Sequence, residues 1–196
     1  METNEKTIAL TGVTGAMGGE VLKSLMQSAD NFKVRCLIFS AEKSLPSFVK
    51  KLFKKYRKRI YAFAGDISCA EDCSRLLDGA DYLINCAALI PPKSDHNPNG
   101  TYLSNFLGTK NLVDEIIKRG NDIPYVHVAT VAMYGHRAYP HVWGRVGDPV
   151  ISSDYDYYSM YKLKAERYVL ESGLKKFVSL RQTATLHKYM LKNNMS

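Results

Sequence analysis

Three groups of residues in this chain have types and spacings that could do chemistry. Tyr158 and Lys162 lie four apart in YSMYKLKAERY, residues 158–168, and on a helix that spacing stacks phenol and ammonium on one face. A phenol of pKa near 10 exchanges protons poorly at neutral pH, and an ammonium nearby favours the phenolate. At about 4 Å and an effective dielectric of about 20 the attraction is roughly 4 kcal/mol, at most about three pKa units before desolvation and screening are subtracted. That would bring Tyr158 into the range useful for general acid–base work. The plain alternative is a chance pair, since the chain has 13 tyrosines. Tyr155, Tyr157 and Tyr161 have no lysine four residues later and read as packing or substrate-contact aromatics.

The second group is TGVTGAMGG, residues 11–19, between the apolar run Ile8-Ala9-Leu10 and a segment of helical spacing. Gly12 can permit a tight turn, Gly15 the approach of a pyrophosphate, and Gly18 close packing of helix on strand. The helix N-terminus would then meet the phosphates with free N–H groups and a partial positive charge. The spacing is GxxGxxG rather than GxGxxG, and an ordinary glycine turn is the competing reading. The third is Thr130, closing the run YVHVAT. Its hydroxyl could hold a substrate oxygen near the Tyr158 phenol, or merely cap the next turn.

The elements that must position these groups follow from patterning. Apolar runs rich in β-branched and aromatic residues predict strands near 7–11, 33–39, 60–64, 81–86, 124–129 and 177–181. Helical spacing predicts helices near 16–28, 46–57, 70–77, 101–119 and 155–171. Strands alternating with helices, several apolar on both faces, call for an α/β fold: a doubly wound, Rossmann-like parallel sheet of about six strands flanked by helices. In such sheets ligands bind beyond the carboxyl ends of the strands. TGVTGAMGG, Ser40, GDIS, NCAAL and ATVAMYG all fall there and together form one mouth.

At 196 residues, with no linker or repeat, the chain suits one domain. The start METNEKTIAL has acids where a signal peptide needs basic residues, and no apolar run approaches a membrane span. A cytoplasmic protein with no membrane partner is expected. Cys69 and Cys73 form a CxxxC pair without a second Cys or His cluster, a poor zinc site; with Cys36 and Cys86 they read as neutral thiols in a reducing compartment, and no metal is expected. Of the net charge of +8, KKLFKKYRKR at 50–59 supplies seven with no acid among them. An amphipathic helix with a solvated basic face is the first reading, and an anion or nucleic-acid contact the second.

Taken together these residues resemble the extended short-chain dehydrogenase/reductase superfamily, the NAD(P)-dependent sugar-nucleotide epimerase, dehydratase and reductase group, over residues 7 to about 183. TGVTGAMG is similar to the family's TGxxGxxG, NCAA to its NxAA, GDIS to the GD pair that meets the adenine, and NFLGTKNL to its NxxGTxNL helix. ATVAMYG resembles S/TxxxxYG, and YSMYKLKAE resembles YxxSKxxxE, with Tyr161 where the family has serine. The resemblance implies an NAD(P)-dependent oxidoreductase, epimerase or dehydratase working by hydride transfer on a small-molecule substrate. Tyr158 would be its acid/base, Lys162 its ribose anchor and phenol tuner, Thr130 the orienter of a carbonyl or hydroxyl, and Asn105 the support of a water near Lys162. Cofactor contacts would come from Gly12, Thr14, Gly15, Met17, Gly18, Ser40, Lys43, Asp66, Ile67, Ala87, Ala88 and Lys162.

Ser40 and Lys43 favour NADP(H), meeting a 2′-phosphate, whereas Glu42 turned inward would favour NAD(H). The resemblance also implies a homodimer, through helices near 101–119 and 155–171. Substrate identity should lie in residues 136–156, where His136, His141, Trp143 and Arg145 offer stacking and anion contacts. Family members continue for another hundred or more residues, so residues 1–184 read as the dinucleotide-binding domain. Residues 185–196 read as the stub of a missing substrate-binding portion, in a fragment or a naturally shortened homologue. A non-catalytic dinucleotide-binding module is the alternative.

Overall fold

The structure, a computed structural model, describes residues 5–42, 44–137, 140 and 144–183. Six apolar runs form one parallel sheet: β1 (Thr7–Thr11), β2 (Lys33–Phe39), β3 (Ile60–Gly65), β4 (Tyr82–Asn85), β5 (Tyr125–Thr130) and β6 (Phe177–Gln182), in the order β3-β2-β1-β4-β5-β6. Beside them run α1 (Ala16–Gln27), α2 (Ser47–Lys55), α3 (Ala70–Leu77), a helical run made of α4 (Pro98–Thr101), a π-wound stretch Tyr102–Leu107 and α5 (Gly108–Lys118), then α6 (Tyr157–Glu171). This is the doubly wound, Rossmann-like arrangement expected from the sequence, and the order reverses beside β1, where such sheets open a crevice at their carboxyl ends.

Register decides which side chains share a face. Leu10, Ile84, Val126 and Val178 are aligned across β1, β4, β5 and β6, as are Ala9, Leu83, Tyr125 and Phe177 one residue earlier on the opposite face. The first face packs on α1 and α2 through Leu10, Val13, Leu22, Met26, Val34 and Cys36. The second packs on α3, α5 and α6 through residues such as Leu76, Leu112, Ile116 and Val169. Among the described residues the first face is covered only in part. Over β4–β6 it presents an apolar groove lined by Ile8, Tyr82, Ile84, Val126 and Val178, with Val178 45% and Leu180 50% exposed.

Several boundaries differ from the sequence reading for local reasons. The helix expected at 101–119 begins at Pro98, where Asn97 accepts from the Gly100 N–H, and its π-wound middle has a hydrogen-bond step that a 3.6-residue periodicity does not encode. The helix expected at 155–171 begins at Tyr157, because the Asp156 carboxylate accepts from the Ser159 N–H at 3.0 Å and caps it. Strand β4 is shorter than 81–86 and ends at Asn85, whose side chain turns into the buried polar band described below.

Candidate functional site

The glycine loop joins β1 to α1. Gly12 has φ +70°, and a Cβ there would lie 2.6 Å from the Cys86 carbonyl carbon; one on Gly18 would lie 2.2 Å from the Gly12 oxygen. Internal packing therefore requires both glycines. Gly15 is different: a Cβ there meets only the Gly12 oxygen, at 3.3 Å. Its outer side is left open at the N-cap of α1, a helix with no side-chain cap and no acid in its first turn. A helix N-terminus of this kind attracts an anion, so these residues fit a dinucleotide pyrophosphate. Met17 sits in that first turn. The Thr14 hydroxyl lies 3.4 Å from Glu42 Oε2, which brings a carboxylate from beyond β2 to the rim of the loop. Ser40 is exposed there, its N–H bonded to the Gly65 carbonyl.

Behind the loop runs a buried polar band. Thr11 Oγ1 donates to Asn85 Oδ1 at 2.6 Å, Asn85 Nδ2 donates to the Tyr125 hydroxyl at 3.2 Å, and that hydroxyl meets His127 Nδ1 at 3.0 Å. The Tyr125 hydroxyl and the His127 ring share that last hydrogen bond, while His127 Nε2 is buried with no partner among the described residues. Burial holds His127 well below the usual histidine range, with the Lys162 charge a second cause. The Ala87 N–H donates to Thr11 Oγ1 at 3.1 Å. The band thus pins Ala87, and Ala88 after it, beside Gly12. Asp66 Oδ1 accepts from the Ser68 N–H, while the Ile67 side chain is buried under Gly108 and its carbonyl accepts from Asn111.

The Tyr158–Lys162 helix, α6, starts at the same mouth. Lys162 is buried, its ammonium donating to the Val128 carbonyl oxygen. Burial lowers its pKa to about 8, against the opposing pull of Cys86 and Glu166. Tyr158 is half-buried with the Thr130 hydroxyl as hydrogen-bonding neighbour. The expected lowering of its pKa by Lys162 is not found: burial raises it, Thr130 opposes and Asp156 adds to the rise. The ammonium is drawn instead onto the Val128 carbonyl. Asn105, in the π-wound stretch, accepts from the Leu89 N–H at 2.7 Å and donates to the Leu89 carbonyl at 2.9 Å, clamping the segment after NCAA.

A model of the NAD dependent epimerase/dehydratase family matches residues 8–184. The chain belongs to this family. Curated relatives include an uncharacterized membrane protein of Methanocaldococcus jannaschii, 30% identical over 111 residues, covering 56% of this chain and 32% of that protein. Another is UDP-N-acetylglucosamine 4,6-dehydratase (inverting) of Campylobacter jejuni, 29% identical over 119 residues, covering 60% and 34% respectively. Among solved structures, the Bordetella bronchiseptica enzyme WbmH in complex with NAD+ superposes with a TM-score of 0.75 at 22% identity, covering 91% of this chain and 56% of that one. The chain therefore spans about a third of these curated relatives and just over half of that structure.

For this epimerase/dehydratase family member, the structure brings together Gly12, Gly15, Gly18 and Ala87 on one side of the mouth and Thr130, Tyr158 and Lys162 on the other. Cys86 adjoins both, through Gly12 and through its influence on Lys162. Asn105 is engaged at Leu89, and Ile67 offers backbone rather than side chain. Tyr161, in the family's serine position, lies edge-on to Tyr102 with ring centroids 5.5 Å apart, packing α6 on the π-wound stretch. Lys43, His141, Trp143 and the stub 185–196 lie outside the described residues; His136 and Arg145 are both exposed. The polar band escapes the sequence reading, which keeps an inward turn of Glu42 only as the alternative. The only signals for the band were polar residues, Asn85 and His127, inside apolar runs. Among the described residues no helix is long and apolar enough to cross a membrane.

Proposed function

We propose that this chain is the dinucleotide-binding part of an NAD-dependent enzyme that oxidises and reduces a nucleotide-linked sugar during epimerisation or dehydration. The observation that carries the reading is the convergence at one mouth of an open-sided helix N-terminus at Gly15 and the trio Thr130, Tyr158 and Lys162. The sugar-nucleotide class is supported by the named dehydratase relative, and a dinucleotide by the NAD+ complex of the structural neighbour.

Gly15 and the α1 N-terminus would seat the pyrophosphate, with Ala87 and Ala88 on its flank and Met17 above the first turn. Asp66 would meet the adenine, and Lys162 the ribose hydroxyls. When bound, the dinucleotide supplies the hydride acceptor and donor. As the phenolate, Tyr158 would take the proton from the sugar hydroxyl as the carbon–hydrogen bond breaks and return it on reduction, with Thr130 fixing that oxygen in line. Because burial raises its pKa, Tyr158 must lose its own proton before it can act as that base. Glu42, reaching Thr14 at 3.4 Å, favours the 2′-hydroxyl of NAD over the 2′-phosphate of NADP, reversing the preference read from Ser40 and Lys43.

We further propose that residues 1–196 bind the dinucleotide by themselves but turn over little, since hydride transfer needs a water-poor site closed around both reactants. The test is paired: Tyr158→Phe should leave dinucleotide affinity nearly intact and remove turnover of nucleotide sugars in a chain of the relatives' length. Normal turnover in that variant would refute the role of Tyr158.

A further inference from the structure

The sheet face that carries α1 and α2 has a charge distribution that the dinucleotide site does not use. Lys50, Lys51, Lys54, Lys55, Arg57 and Lys58 are all exposed along α2 and the turn after it. No ion pair is found for any of them among the described residues, and the sequence has no acid from Lys43 to Gly65. The other side of α2 is committed: Val49 is buried, and Leu52, Phe53 and Tyr56 pack against the core. Arg59 is committed too, donating to the Phe32 and Met26 carbonyls. The exposed cations thus sit on a rigid support, where surface lysines elsewhere in the chain, such as Lys6, Lys23, Lys33 and Lys110, each face a carboxylate.

Placement matters as much as charge. Parallel strands all point toward the mouth, and β3 starts at Ile60, directly after the cluster. Residues 54–59 therefore lie at the amino end of the sheet, opposite the glycine loop and Tyr158. A partner there would leave the mouth open.

We propose that this basic face docks the protein peripherally on an anionic lipid surface. The cations offer charge without insertion, because the apolar residues of α2 are spent in the core. The two aromatics of the cluster are not free platforms: Phe53 packs against the core, and Tyr56 is half-buried with Lys55 over its ring. Sequence-tolerant binding of single-stranded nucleic acid relies on such stacking platforms, whereas a planar anionic bilayer asks only for several cations within a Debye length of it.

The test is co-sedimentation of the whole chain with vesicles of neutral phosphatidylcholine, or with about 30% phosphatidylserine added, at about 0.1 M salt. A structured RNA and a DNA duplex serve as competing polyanions. Binding to the anionic vesicles alone is expected, falling steeply as salt rises. Each cation near an anionic bilayer contributes roughly fivefold in affinity, so the quadruple variant K54Q/K55Q/R57Q/K58Q should lose on the order of 600-fold. Its circular dichroism and dinucleotide affinity should be unchanged, because none of the four touches the core or the mouth. Equal binding to neutral vesicles, anionic-vesicle binding retained by the variant, or release from anionic vesicles by nucleic acid at equal phosphate would each overturn the proposal.

Discussion

At the scale of single residues, the unusual member of the site is Lys162. A lysine whose pKa falls from 10.5 to about 8 on folding is a charge kept where the fold would prefer none. The folded state binds the proton less readily than the unfolded one, so this cost is fully present below pH 8. It is relieved as pH rises from about 8 towards 10.5. Replacing Lys162 with Met should accordingly raise stability at pH 7, by up to about 3 kcal/mol, while weakening dinucleotide binding; chemical denaturation and calorimetry on the same samples check both signs. The affinity of the unmodified chain should also decline as pH passes about 8 and the ammonium is lost. His127 acts at the other end of the scale. Its folded pKa lies below the ordinary value of 6.5, so its contribution to stability is complete above pH 6.5 and is lost as pH falls below it. Denaturation midpoints should drop between pH 7 and pH 5.5, and His127→Gln should flatten that slope. The direction of Tyr158's shift could not be read from sequence, because the i, i+4 spacing gives proximity to Lys162 but neither the depth of burial nor the pull of the Val128 carbonyl.

Elements were easier to read. The strands are apolar runs of β-branched or aromatic residues and the helices carry buried faces at helical spacing, α6 with Ser159, Lys162 and Glu166 among its buried residues, so order and type follow from patterning, with ends displaced by a few residues. What patterning missed was specific. The π-wound stretch Tyr102–Leu107 looks in sequence like ordinary helix, yet it places Asn105 against Leu89. Ile67 follows the GD pair in sequence, but its side chain drops into the core beneath Gly108. Gly12, Gly15 and Gly18 of the loop, alike on paper, separate once space is measured around them. Gly18→Ala should prevent folding or cost several kcal/mol, since its methyl would lie 2.2 Å from the Gly12 carbonyl oxygen and neither helix nor strand can retreat. Gly15→Ala should fold normally by circular dichroism with a similar midpoint. Equal damage from the two would contradict the division between packing glycines and the ligand-facing one.

Viewed whole, the molecule is asymmetric. Among the described residues, one sheet face is packed by α3, α5 and α6, while the other is covered by α1 and α2 over β1–β3 and open over β4–β6. Parallel sheets are ordinarily buried on both faces, so this apolar area should make the isolated chain self-associate as concentration rises. Light scattering should report that association, and Val178→Lys with Leu180→Lys should diminish it; a monomer at every concentration would count against it. The dimer proposed through the 98–118 run and α6 has less exposed apolar surface to work with, chiefly Ile117 and Leu170. The central claim concerns the mouth these faces enclose, and titration calorimetry of NAD+ into residues 1–196 tests it most directly. The account predicts saturable one-site binding, weakened at least about tenfold by Gly15→Val in a protein whose circular dichroism is unchanged. Absence of binding by the unmodified chain, or equal affinity in a folded Gly15→Val protein, would contradict it.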